Sequence, residues 1–198
     1  MDQSIVVLTS GSGTLLQAML DSSLRPSIRA VGSDRPATLA LDRAQRAGIP
    51  TFVVDPREFT GRAEWSRALL DEVRRHDPRL VVCAGFMRIL APEFVAAYPR
   101  RIVNCHPALL PAFPGAHAVR DALSYGVRVT GCTVHFIDEG IDTGPIIAQR
   151  AVPVHDADTE ESLHERIKEH ERELLVVTIT ELIGASGPND VDEGEWAE

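Results

Sequence analysis

The sequence predicts an α/β domain built on an open, twisted, mostly parallel sheet, with helices on both faces and an antiparallel portion near its C-terminal half. Three observations predict it. Short strand-like runs lie at residues 5–8, 28–32, 51–54 and 80–84, and the first is continuous and β-branched rather than alternating, the pattern of a strand buried on both faces. Stretches with helical spacing at 37–47 and 63–76 separate the later runs, as parallel crossovers require. Further on, runs at 130–137 and 146–154 flank a polar loop like the arms of a broad hairpin, which makes that pair antiparallel.

Composition bounds the rest. A chain of 198 residues fits one domain with a sizeable core, assigned here to residues 1–184. The segment 185–198 is acidic and lacks a core pattern, so it is expected to be disordered. The net charge of −9 argues against a nucleic-acid surface, which needs a basic stripe. It leaves room for a small anionic substrate, because a single pocket can be electropositive. No apolar run approaches the ~20 residues that span a bilayer, and the acidic start lacks the basic region of a signal peptide. No membrane partner and a cytoplasmic location are expected. Cys83, Cys105 and Cys132 show no C-x-x-C spacing and read as buried free thiols.

In chain order, the first strand runs into Ser10-Gly11-Ser12-Gly13-Thr14, followed by a helix from Leu15. Strand, glycine turn and helix start together offer backbone N–H groups to a phosphate. Asp34 follows at about the ~20-residue spacing of a dinucleotide fingerprint, yet the third glycine position of that fingerprint is Leu16. Gly48 closes the helix at 37–47. The strand at 80–84 leads into Gly85-Phe86-Met87-Arg88-Ile89-Leu90, either a hydrophobic helix start or a wall for a flat apolar ligand. A short helix at 92–98 precedes Ile102-Val103-Asn104-Cys105-His106-Pro107, a strand that Pro107 ends because it has no N–H for the ladder. A helix at 118–125 stops at Gly126, and a long one runs from Thr159 to Ile183, capped by Thr159 or Asp158.

The chemistry collects at the end of the strand before Pro107. Asn104 and His106 have the same parity and face one side, at the sheet edge where open α/β folds bind ligands. Asn can donate and accept, and His changes charge most easily near neutral pH. Asp142, in the loop between the last two strands, can orient an imidazole and favour its cation. His117 and His135 are alternative histidines, with His135 reading as structural because it lies within a strand.

With these residues in view, the chain resembles the folate-dependent formyltransferase family, in particular its members acting on glycinamide ribonucleotide. The segments that carry the resemblance are SGSGTLLQA (10–18), AGFMRIL (84–90), NCHPALLPAFPG (104–115) and GCTVHFIDEGIDTGPIIAQ (131–149). It implies a Rossmann-like fold and catalytic Asn104, His106 and Asp142. It implies a phosphate cradle at Gly11, Ser12, Gly13, Thr14 and Leu15, with Glu171 on the substrate ribose. Leu15 departs from the Asn often found there, which removes a side-chain contact. For Glu171 a solvated helix face is the competing reading. A folate pocket is implied at Arg62, Met87, Arg88, Ile89, Leu90, Asn104, Asp138, Glu139, Gly140, Ile141 and Asp142. The implied reaction moves a formyl group from 10-formyltetrahydrofolate to the amine of glycinamide ribonucleotide, with no metal. A hydrolase of the formyl-folate, or a transferase using a sugar-nucleotide amine, keeps the same triad. A homodimer is compatible with the sequence.

Overall fold

The structure is a computed structural model that describes residues 3–184; the tail at 185–198 lies outside the described residues. Seven strands and six α-helices follow in the order β1 (Ile5–Thr9), α1 (Thr14–Leu20), β2 (Ile28–Ser33), α2 (Leu39–Arg46), β3 (Thr51–Val53), α3 (Arg62–Arg74), β4 (Leu80–Cys83), α4 (Pro92–Ala97), β5 (Ile102–His106), α5 (Ala118–Tyr125), β6 (Val129–Phe136), β7 (Ile146–Pro153) and α6 (Glu160–Gly184). All seven strands join one sheet in the order β3-β2-β1-β4-β5-β6-β7. The first five pair in parallel, and β6 and β7 run antiparallel.

That order contains a switch point. The chain builds outward from β1 to β3 in one direction, then returns to start β4 on the other side of β1. Crossovers leave opposite faces of the sheet there, which opens a crevice at the carboxyl ends of β1 and β4. The glycine turn follows β1 and the segment from Gly85 follows β4, so the fold aims both at the same crevice.

Two apolar layers hold the sheet. On one face Leu16, Met19, Leu163, Ile167, Leu175 and Ile179 from α1 and α6 cover the central strands. On the other, Trp65, Leu69, Val73 and Phe94 from α3 and α4 pack on Val6, Val81 and Ile102. Each fully buried side chain of this size contributes about 1.5–3 kcal/mol of transfer free energy. The one polar atom of Trp65 is satisfied, since its Nε1–H donates to the Val54 carbonyl at 2.8 Å.

Local signals set the helix ends. The Thr38 hydroxyl accepts from the Leu41 N–H to cap α2, and Pro92 opens α4. Gly126, at φ 83°, closes α5 in the left-handed region. Thr159 caps α6 through a reciprocal pair: its Oγ1 accepts from the Ser162 N–H at 3.1 Å, and its own N–H donates to Ser162 Oγ at 3.0 Å. The segment after β4 does not become a helix. Short 3₁₀ turns at Arg25–Ser27 and Pro56–Glu58 had no clear sequence signal, because a proline at the start of a single turn also fits a loop.

Candidate active site

β5 builds the centre of the site. Asn104 is half-buried and His106 is buried, both on the floor of a cavity of about 480 Å³. The loop after β6 lays Asp142 over them. His106 Nδ1 lies 3.4 Å from Asp142 Oδ2, and His106 Nε2 lies 2.8 Å from the Phe113 carbonyl oxygen. A carboxylate and a carbonyl can only accept, so the ring satisfies both neighbours when both nitrogens carry protons.

The Asp142 loop is rigid for identifiable reasons. Asp138 Oδ1 accepts from the Gly140 N–H at 3.0 Å and from the Thr143 hydroxyl at 2.7 Å. Asp142 itself sits at φ 54°, a left-handed conformation that Asp tolerates better than most residues. Its Oδ2 also accepts the Gly115 N–H at 2.7 Å, which ties the loop to the turn following the Asn-x-His-Pro element.

That element is braced from beneath. The Thr133 hydroxyl on β6 donates to the Ala108 carbonyl at 2.6 Å and accepts from the Leu110 N–H at 3.0 Å. Gln149 Nε2 donates to the Leu110 carbonyl at 2.8 Å. With Thr133 fully buried, the chain leaving His106 has one path.

The apolar wall is formed by the residues after Gly85. Phe86, Met87, Arg88, Ile89 and Leu90 line the cavity with Ile137, Asp138, Gly140, Ile141 and Asp142. Met87 and Ile89 are exposed at its mouth. Arg88 is anchored: its Nε donates to Asp34 Oδ2 at 2.7 Å, and Asp34 is buried. The carboxylate at the dinucleotide spacing is therefore engaged in holding the wall. Arg62 and Glu139 lie outside the lining.

The glycine turn adjoins the cavity without lining it. The Ser10 N–H donates to the Gly85 carbonyl at 3.1 Å, and Ser10 Oγ accepts the Met87 N–H at 2.9 Å, so the turn and the wall share hydrogen bonds. Gly13 precedes α1 in the left-handed region with no side-chain cap, which leaves first-turn N–H groups without an intrahelical partner. The turn is braced by α2: Arg43 Nε donates to the Ser12 carbonyl at 3.0 Å, and Arg43 Nη1 to Gln17 Oε1 at 2.8 Å. Leu15 points into the core, so the departure at this position exchanges a polar side chain for packing.

Glu171 overturns the solvated-face reading. It is 5% exposed, and Cys105 Sγ donates to its Oε1 at 3.6 Å. Burial pushes its carboxyl up to about 7. The neighbouring Lys168 and Arg172 are half-buried and Glu169 is exposed, which is why the surrounding residues read as a surface helix. All three thiols are free and buried, and burial pushes Cys83 up to about 12.

The structure brings a further histidine to the site. His135 lies in β6, as expected of a structural histidine, yet it lines the cavity. Its Nε2 is 3.2 Å from Asn104 Nδ2 and 3.6 Å from Asp142 Oδ1. Glu160 and His164, on the first turns of α6, also reach the cavity; no motif marks them, and the packing of α6 on the sheet and its neighbouring helices brings them there. His117 lies on the rim. Among the described residues no group of His, Cys, Asp and Glu is arranged to hold a metal ion.

An open, mostly parallel sheet that sets an Asn and a His at the end of β5, with a carboxylate from the β6–β7 loop over them, fits an enzyme that moves a group through a charged intermediate. The sequence matches the formyl transferase family model over residues 3–179, and the chain belongs to that family. Within it, the chain is 51% identical over 181 residues to the phosphoribosylglycinamide formyltransferase of Mycobacterium tuberculosis, covering 90% of this chain and 84% of that protein. It is 40% identical to the Escherichia coli phosphoribosylglycinamide formyltransferase, over 89% of this chain and 85% of that one. The glycinamide ribonucleotide transformylase 1 structure from Symbiobacterium toebii superposes with a TM-score of 0.89 at 42% identity, covering 93% of this chain and 90% of the other.

Proposed function

We propose that this chain transfers the formyl group of 10-formyltetrahydrofolate to the amine of glycinamide ribonucleotide, a step of purine biosynthesis. The observation that carries the reading is the placement of Asn104, His106 and Asp142 in a cavity with an apolar wall to which the glycine turn is hydrogen-bonded. The reaction needs those three features. A flat, largely apolar donor packs against Met87, Ile89, Leu90 and Ile141, with Arg88 at the rim. Arg62 and Glu139 are assigned to the outer, solvent-facing reach of the same donor. The phosphate of the acceptor rests on the N–H groups from Gly11 to Leu15, favoured by the helix start. Glu171 receives a ribose hydroxyl.

The substrate amine then attacks the formyl carbon, and its oxygen becomes an oxyanion. The Asn104 amide N–H and the protonated His106 ring donate to that oxygen. The ring nitrogen for that bond is Nε2, whose proton the reacting oxygen would share with the Phe113 carbonyl at 2.8 Å. Asp142 holds the imidazolium through Nδ1 while a proton passes from the attacking amine to the leaving N10 of the folate. The C–N bond to N10 breaks and the formyl group remains on the glycinamide nitrogen. Burial of the floor strengthens each of these charge interactions.

Free, buried thiols suit a reducing compartment, and the reading places the enzyme in the cytoplasm. The test is turnover of 10-formyltetrahydrofolate by the full chain with and without glycinamide ribonucleotide. Turnover that depends on the ribonucleotide and yields its formyl derivative is expected. Equal turnover without it would instead identify a hydrolase, and dependence on a sugar-nucleotide amine a different transferase.

A further inference from the structure

Three histidines of the cavity, His117, His135 and His164, take no step in that mechanism, and one of them is deeply buried. His135 is 1% exposed and lies directly across from Asn104 in the β5–β6 ladder. Its Nδ1 lies 2.9 Å from the Phe136 carbonyl oxygen, which can only accept, so Nδ1 carries the proton. Its Nε2 lies 3.2 Å from Asn104 Nδ2, an atom that can only donate. Asp142 Oδ1, at 3.6 Å, is beyond a normal hydrogen bond from the same nitrogen. Donation at Nδ1 with acceptance at Nε2 describes the neutral ring in a single tautomer. The environment agrees: burial, the largest influence, holds His135 below the usual histidine range against the opposing pulls of the Phe136 carbonyl and Asp142.

We propose that His135 is a positioning residue that fixes which way the Asn104 amide points, an inference that rests on the proposed role of Asn104 as an oxyanion donor. A side-chain amide rotated by half a turn exchanges its NH₂ for its oxygen. Turned that way, Asn104 would set Oδ1 against the lone pair of His135 Nε2, acceptor against acceptor. In the observed orientation one Nδ2–H is held by His135, and the other Nδ2–H remains for the formyl oxygen. The wrong orientation would present an oxygen to a developing oxyanion. His135 thus gives Asn104 the same service that Asp142 gives His106, and the two donors acquire separate orienting partners from β6 and the loop that follows it.

Two measurements test this. In the wild-type protein with labelled histidine and no substrate, the ring ¹⁵N shifts of His135 should report a protonated Nδ1 and a bare Nε2 at neutral pH. An Nε2–H tautomer or a doubly protonated ring would overturn the proposal, whatever the enzyme's acceptor proves to be. The second is a double-mutant cycle. His135→Phe keeps a flat ring and removes the acceptor, and it should lower kcat roughly 10- to 10²-fold with both KM values little changed, the size of effect that misplacing a catalytic group produces. In an Asn104→Ala background the same substitution should cost almost nothing further, because no amide remains to be oriented. Equal losses in the two backgrounds would show a purely structural role and overturn it. Loss of ribonucleotide-dependent turnover in the wild type would defeat the functional reading and leave the ring measurement standing.

Discussion

Asp142 Oδ2 lies 3.4 Å from His106 Nδ1 and accepts the Gly115 N–H at 2.7 Å. One oxygen therefore faces the imidazole and holds the turn after it, and Phe113, whose carbonyl is the ring's other neighbour, lies two residues before Gly115. Asp142 is held at φ 54°, a conformation Asn adopts as readily. Asp142→Asn should keep the loop and lose only the charge. The expected result is a fall in kcat of roughly 10²-fold or more, with the folate dissociation constant, measured by fluorescence titration, little changed. A kcat close to wild type would disconnect Asp142 from the chemistry.

The proposed donor is His106. His106→Ala should fold, because the ring's contacts are polar and the strand ladder is backbone-made, and it should lose at least roughly 10²-fold in kcat. Steady-state kinetics beside a thermal melt separates the two effects. Near-normal turnover in a folded variant would rule out its role.

The glycine turn is best probed from α2. A Cβ at Gly13 would meet Ala40 at 2.7 Å, so replacing Gly13 strains α2 as well as the turn and confuses affinity with folding. Arg43 braces the turn from the surface through the Ser12 carbonyl and Gln17. Arg43→Ala should raise KM for glycinamide ribonucleotide about 5- to 10-fold, the scale of one ordinary hydrogen bond, with the folate KM unmoved. Equal rises in both constants would point to general loosening.

Glu171 predicts a pH dependence. Its carboxyl is pushed from 4.5 up to about 7 by burial. Between those values the folded protein keeps a proton that the unfolded chain has released, so its contribution to stability is complete below about pH 4.5 and is lost as the pH rises to about 7. Glu171→Gln keeps the size and cannot ionise. Melting temperatures across that window should fall more steeply with pH in the wild type than in Glu171→Gln, and parallel slopes would contradict the assignment.

The sequence made the sheet legible because its strands announce themselves locally. The runs at 5–8, 28–32 and 80–84 are β-branched and bounded by turns, and the alternation at 130–137 with its polar loop marked the antiparallel arm. Asn104, His106 and Asp142 were legible for a similar reason. Their types and the proline that ends β5 place chemistry at a strand terminus before any coordinates are known. For Met87 to Leu90 the residues left a helix start and a ligand wall both open, and the resemblance favoured the wall.

The resemblance named Glu171, but the burial of its carboxyl and the partner of His135 were not legible, and the cause is the same for both. Periodicity tells which residues share a face but not what that face meets. Glu171 belongs to a run of charged residues, and only the docking of α6 over β5 turns its carboxyl onto Cys105. His135 alternates correctly for a strand, and only the β5–β6 register sets its ring against Asn104. Local sequence determined the elements and the identity of the donors, because propensity, capping and turn chemistry act within a few residues. Tertiary structure alone decided their partners, because hydrogen bonds, burial and charge act through space between segments that the chain keeps far apart.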